Sequence, residues 1–173
     1  MIALSQQTDM EPGQRTVSGT VGPGILTYQG VAIPPECDHM GHLNIAAYMV
    51  KFNEGIWSNF ANVGLDRKFL DANGSGMAAV ETHTKYLREV FAGDVLTIRS
   101  RIVEVKDKVV RILHEMTVLD GGMEVPAARC ELVAAYFDRA AHKARPFPDA
   151  IRAKLNARCA AESMPAALEE GRR

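Results

Sequence analysis

Residues 36–64 read ECDHMGHLNIAAYMVKFNEGIWSNFANVG. The second half of this stretch decides the architecture. Ile45, Tyr48, Met49, Phe52, Ile56, Phe60 and Val63 recur at spacings of three and four, which puts them on one stripe of a helix. Asn44 is placed to be the N-cap, because its side-chain oxygen can accept from first-turn amides. Gly64 suits the C′ position and stops the helix. Ala46, Ala47, Val50 and Trp57 make the other sides apolar too, so the pattern predicts a helix wrapped by the rest of the fold. Gly55 costs about 1 kcal/mol of helix propensity, which implies a strand packed close against it.

Beyond residue 75 the hydrophobic period changes to two. Segments 77–90, 94–105, 108–120 and 124–138 are rich in Val, Ile and Thr and read as strands. Segment 25–33, ILTYQGVAI, is a fifth. Ala92-Gly93-Asp94, Lys106-Asp107 and Asp120-Gly121-Gly122 supply turn chemistry, and short turns imply antiparallel neighbours. The order of elements points to an α+β fold, a five-stranded antiparallel sheet wrapped around one long central helix. Segment 148–160, PDAIRAKLNARCA, opens with Pro148 at a first helical position and predicts a short surface helix. Residues 1–24, with several Gly and Pro, read as a flexible arm, 25–160 as one domain, and 161–173 as a loose tail. Such a sheet leaves an open edge, and pairing two copies there predicts a homodimer or a dimer of dimers.

The bulk numbers exclude several classes. The chain has 173 residues, 47% hydrophobic and 24% charged, with net charge -1. There is no basic excess to mark a nucleic-acid partner, and no apolar run of membrane-spanning length. The first fifteen residues lack the basic start and apolar centre of a signal peptide, so a cytoplasmic location is expected. Cys37, Cys130 and Cys159 are scattered and support no disulfide framework or zinc ribbon.

The first half of the opening stretch, ECDHMGHLN, concentrates the reactive side chains. A metal site would draw on Cys37, Asp38, His39 and His42, but these lie in a loop and no second ligand cluster follows. A cysteine nucleophile would need Cys37 to have a depressed pKa and a paired base, whereas free cysteine is usually a small buried hydrophobe. Asp38 lies six residues before a helix start, whose unsatisfied amides can polarise a carbonyl, and this is a hydrolytic arrangement. On spacing alone, the favoured reading is plainer: Asp38 and Asn44 satisfy loop and helix-start amides.

The run Cys37 to Asn44, followed by Tyr48 and Glu54, resembles the signature of hotdog-fold acyl-CoA thioesterases of the 4-hydroxybenzoyl-CoA type, D-x-D-x-x-G-H-x-N-x-x-x-Y with a later helix acid. Tyr86-Leu87-Arg88, Gly93-Asp94 and Arg145-Pro146-Phe147-Pro148 extend the resemblance over residues 26–150. The first acid is Glu36 in place of Asp, which changes length but not charge.

The resemblance implies a fold, an activity and roles. Asp38 matches the catalytic carboxylate, as nucleophile or as general base on water. The backbone N–H of Ile45 matches the amide that polarises the thioester carbonyl. His42 and Asn44 would shape the turn or touch the thioester. Tyr48, Glu54, Trp57, Glu81, His83 and Arg88 are the substrate-binding candidates. Glu54 is read first as a partly buried acid tied to a strand or to the partner subunit. Glu81, His83 and Lys85 share one strand face. Arg88, Arg139, Lys143 and Arg145 are candidates for the CoA phosphates. No metal and no cofactor is implied, coenzyme A arriving as part of an acyl-CoA substrate. The wording DHMGHLN with nearby aromatics resembles the carnitine-catabolism branch, in which Tyr48, Phe52 and Trp57 would box a trimethylammonium acyl group such as betainyl. Two other readings stay open: a 3-hydroxyacyl-thioester dehydratase resting on His42 or His39 with Glu54, and a non-catalytic acyl-CoA binding module.

Overall fold

The computed structural model describes residues 24–163. The expected flexible arm (apart from Gly24) and residues 164–173 lie outside them. The chain runs β1 (Ile25–Val31), a 3-10 turn (Pro34–Glu36), α1 (Ile45–Asn62), α2 (Arg67–Ala72), β2 (Ser75–Tyr86), β3 (Val95–Val105), β4 (Val109–Asp120), β5 (Met123–Asp138), β6 (Lys143–Ala144) and α3 (Asp149–Ser163). The strands form one antiparallel sheet in the order β1-β3-β4-β5-β2, with the two-residue β6 added on β5. This is the expected α+β hotdog arrangement, with one strand more than the sequence pattern gives.

α1 starts at the expected cap, with Asn44 Oδ1 accepting from the Ala46 N–H at 2.8 Å. It stops where expected, with Gly64 in the left-handed region at φ 85°. Tyr48, Phe52, Ile56 and Phe60 are buried in its stripe. Phe52 is fully buried among Leu96, Ile98 and Met116, while Ile56 and Phe60 pack with Ile102, Ile112 and Leu132. Burying a side chain such as Phe52 stabilises the fold by about 1.5–3 kcal/mol. β1 makes the close approach expected at Gly55, where an added Cβ would sit 3.2 Å from Thr27 Oγ1.

Four expectations need correction. The fold does not wrap α1 all round: Ile45, Val50 and Trp57 are exposed. The segment read as a short surface helix is the fifteen-residue α3, which buries Ile151 and Leu155 against the α1 end of the core. The boundary placed at residue 160 falls inside that helix, where Glu162 is buried and its Oε2 accepts from the Ile102 N–H at 2.6 Å. That amide lies on β3 beyond the last paired residue of β1, so α3 covers a bare stretch of strand edge. Finally, β2 ends at Tyr86, so Leu87 to Val90 are loop instead of strand. The free edge of the sheet at the other side is β2, exposed from Val80 to Lys85 apart from the half-buried Thr84.

One polar seam runs through the core beside α1. Thr27 Oγ1 donates to Ile98 O at 3.2 Å, so it accepts from Ser100 Oγ at 2.6 Å. Ser100 in turn accepts from His114 Nδ1 at 2.6 Å. His114 Nε2, which has no partner among the described residues, is then a bare acceptor and not a stranded donor, the cheaper of the two tautomers. Burial pushes this imidazole down to about 3, so it is neutral.

Candidate active site

The ECDHMGHLN stretch folds as a small loop between the 3-10 turn and α1. Cys37 and Leu43 form a bridge, and His42 bridges Phe91. Between them the chain reverses. Asp38 N–H donates to His42 O at 2.8 Å, and Gly41 N–H donates to Asp38 O at 3.0 Å. Gly41 has φ 82°, a conformation that a side chain would resist. Asp38 Oδ1 accepts from Met40 N–H at 2.8 Å and from His42 N–H at 3.3 Å. The plainer reading of Asp38 as a loop brace therefore describes one of its oxygens. The other, Oδ2, has no hydrogen-bond partner among the described residues. The Met40 amide, helped by the His42 amide and the charges of His39 and His42, holds the Asp38 carboxyl below the usual carboxylate range. It is ionised at neutral pH and half-buried.

The helix start is similarly divided. Asn44 Oδ1 takes the Ala46 amide, and Asn44 O takes the amides of Ala47 and Tyr48. The Ile45 N–H alone has no acceptor among the first-turn amides. It sits at the positive end of an eighteen-residue helix, where a developing oxyanion is stabilised. The Ile45 side chain is 63% exposed and contributes little to packing.

Asp38, His42, Ile45, Tyr48 and Arg88 line one open cleft of about 500 Å³. The sequence reading named all five. It did not single out Tyr86 and Glu89 as site residues, and they line the same cleft from the end of β2 and the loop after it. The Tyr48 and Tyr86 rings meet edge to face with centroids 5.0 Å apart. Burial, with Tyr86 and two nearby acids adding to it, pushes the Tyr48 phenol up to about 12, so it is a neutral donor to Arg88 O at 3.4 Å. Glu89 lies 3.7 Å from His42 Nε2, and the His42 ring stands edge-on to Phe91. Arg88 is held by Asp120 at 2.7 Å.

Other candidates lie elsewhere. Glu54 is exposed on α1, neither partly buried nor bonded to a strand among the described residues. Trp57 is exposed, edge-on to Phe60. With Phe52 buried in the core, the expected box of Tyr48, Phe52 and Trp57 does not form. Glu81 is exposed on β2, and His83 and Lys85 line a separate, smaller cleft with Leu113, Arg129 and Glu131. Thr84, on the alternate face of β2, reaches Met49 of α1, so His83 and Lys85 point away from the helix. Arg139 is engaged by Ser75 O and Asp71, and Arg145 by Asp138 and Asn73 O. Both serve the fold at the opposite end of β2. Lys143 is exposed on β6. Among the described residues, no three His, Cys, Asp or Glu side chains converge as metal ligands would.

A curled antiparallel sheet with a long helix packed against it is the hotdog arrangement, and Asp38 and the first helical residue, Ile45, line one cleft on it. Residues 34–155 match the thioesterase-like superfamily, and the chain belongs to that superfamily. It is 26% identical over 133 residues to a betainyl-CoA thioesterase of Pseudomonas aeruginosa, covering 77% of this chain and 82% of that protein. It is 29% identical over 119 residues to an L-carnitine dehydrogenase/betainyl-CoA thioesterase of Agrobacterium fabrum, covering 69% of this chain and 24% of that longer protein. In fold it is similar to a hypothetical protein of Staphylococcus aureus solved in complex with CoA, with TM-score 0.74, 20% identity, and 87% of this chain and 94% of that one covered. It is similar also to a hexameric broad-specificity acyl-coenzyme A thioesterase, with TM-score 0.67, 16% identity, and 81% and 98% covered. No helix among the described residues is long and apolar enough to cross a membrane.

Proposed function

We propose that this protein hydrolyses an acyl-CoA thioester to the free acid and CoA, with Asp38 and the Ile45 amide as its catalytic pair. The observation that carries this reading is the division of labour at the loop and helix start: one Asp38 oxygen and all but one first-turn amide are occupied, and the two residues that carry the free groups line one cleft. The thioester carbonyl oxygen takes the Ile45 N–H. Asp38 then attacks the carbonyl carbon, expelling CoA thiolate and leaving a mixed anhydride that water opens. Alternatively it takes a proton from a water that attacks the same carbon. Either route consumes one water and calls for no metal or cofactor. The dehydratase reading needs a histidine paired with the helix acid, and Glu54 does not line the cleft that holds His42.

Within this reading the acyl group is a small quaternary-ammonium one. The edge-to-face pair of Tyr48 and Tyr86, with the Glu89 carboxylate beside it, offers π faces and negative charge to a cation. The two curated relatives are named for betainyl-CoA. The testing experiment is thiol release from betainyl-CoA and from 3,3-dimethylbutanoyl-CoA, its neutral isostere. Cation–π contacts of about 0.5–2 kcal/mol each predict roughly a tenfold preference in kcat/KM for the charged substrate from two rings. Tyr86→Leu, which removes one of the two rings, should cut that preference to about 3-fold. Equal turnover of both thioesters would discard the cationic acyl group and leave the hydrolase. A folded protein that binds acyl-CoA and releases no thiol from either would be a binding module instead. We retain the homodimer as part of the proposal, with β2 as the pairing edge.

A further inference from the structure

The sequence reading passed over Lys51, which α1 buries to 3% exposure. Its ammonium donates hydrogen bonds to Glu36 Oε1 and to the Tyr28 hydroxyl and is ion-paired with the same carboxylate. Nζ lies 2.8 Å from Glu36 Oε2, 2.9 Å from Glu36 Oε1 and 3.2 Å from the Tyr28 hydroxyl. It also sits 5.5 Å from the centre of the Tyr28 ring. Burial works against its charge, but Glu36 and Tyr28 outweigh it and the amine titrates above its usual range.

Glu36 belongs to the loop that carries the candidate carboxylate, two residues before Asp38. Its Oε2 also accepts from Ile33 N–H at 3.1 Å, and its carbonyl accepts from the Asn44 N–H at 2.8 Å. The loop is thus fastened to α1 at two heights, at the cap through the backbone and two turns further on through Lys51. Ile45 opens the same helix. A helix is rigid over two turns, so fastening Glu36 to Lys51 fixes where the Asp38 turn lies relative to the Ile45 amide.

Stability gives a poor account of this pair. Burying an ammonium is costly, and an apolar replacement for a buried ion pair is often neutral or stabilising. The neighbours Phe52, Ala47 and Tyr48 show that this part of α1 accepts apolar residues. Catalysis gives a better account, since a misplacement of about 1 Å between reacting groups costs on the order of 100-fold in rate.

We infer that Lys51, acting through Glu36, is a positioning residue that holds the Asp38 turn in register with the free Ile45 amide, an inference that rests on the hydrolase reading above.

The test measures kcat and KM on whichever of betainyl-CoA and 3,3-dimethylbutanoyl-CoA the wild type turns over faster, beside circular dichroism at the assay temperature. Lys51→Met removes the charge and keeps the volume. It should lower kcat at least about 10-fold, with KM within about 3-fold, in a folded protein. Added to Asp38→Asn, it should take less than about 2-fold more, because the group it positions is already gone. Wild-type kcat in folded Lys51→Met, beside an inactive Asp38→Asn, overturns this inference alone. So does a full further loss in the double variant. If Lys51→Met does not fold, Glu36→Asp decides, since it keeps both charges and shortens the reach by one methylene. A drop of at least about 3-fold in its kcat supports the inference, and an unchanged kcat overturns it. Full turnover in Asp38→Asn overturns the hydrolase pair and this inference with it.

Discussion

Asp38→Asn is expected to lower turnover at least about 100-fold while the protein keeps its fold and its affinity for CoA. The geometry makes the substitution unusually clean. Oδ1 carries both loop-bracing bonds, from Met40 N–H and His42 N–H. An Asn oxygen in that place accepts both, so the turn that Gly41 closes is retained. What is lost is the free second oxygen and the charge, which are what nucleophile and base have in common. The pH profile follows from the direction of the carboxyl shift. Asp38 is held below the usual range, so its ionised form persists as pH falls, and the acid limb of the rate that belongs to it should lie below about pH 4. The stability that its two amide bonds provide is present above the ordinary carboxylate pKa. It fades as pH falls through the lower folded value, so loss of activity near pH 5 with the fold intact would point to another group. Thiol release by the purified variants measures the rate, and thermal melts check the fold. Turnover within about 3-fold of wild type in Asp38→Asn would remove Asp38 from the chemistry.

How much was legible in the sequence depended on the range of the forces involved. The Asn44 cap, the Gly64 stop and the strands from β3 to β5 were readable because caps, left-handed glycines and alternation are local. The stripe of α1 gave the buried set of Tyr48, Phe52, Ile56 and Phe60, but a stripe does not say which of its members face a cleft. Phe52 went into the core and Tyr48 to the cleft wall, and this broke the expected aromatic box. The ring that Tyr48 meets in the cleft is that of Tyr86, 38 residues later on a different element. Alternation along β2 could have found it: Tyr86 and Thr84 share a parity opposite to His83 and Lys85, and only one parity can face the helix. Lys51 was passed over because a lysine in a helix reads as a solvated residue. Its partner Glu36 is 15 residues back, in a loop whose path no periodicity reports. The six-residue α2 was missed because it buries only Leu70 and carries no repeat to detect.

The second large effect concerns a backbone atom, which side-chain substitutions rarely reach. Ile45→Pro deletes the N–H and leaves the helix able to form. Ile45 is the first helical residue, where proline is favoured because that amide has no intrahelical acceptor and φ is already suitable. The residue before a proline must be extended, and Asn44 already is, with φ -66° and ψ 146°. The Ile45 side chain is largely exposed, so its loss removes little packing. Folding stability should therefore change by less than about 1 kcal/mol. Turnover should not escape. Removing one oxyanion donor costs about 100- to 1,000-fold in kcat, because the donor meets a full charge only in the transition state. KM should change little for the same reason. Ile45→Ala, which keeps the N–H, should turn over like the wild type and serves as the control. A folded Ile45→Pro with wild-type kcat would show that the helix-start amide does not hold the oxyanion. The search for that donor would then move to His42, Tyr86 and Arg88, hydrogen-bond donors that line the same cleft.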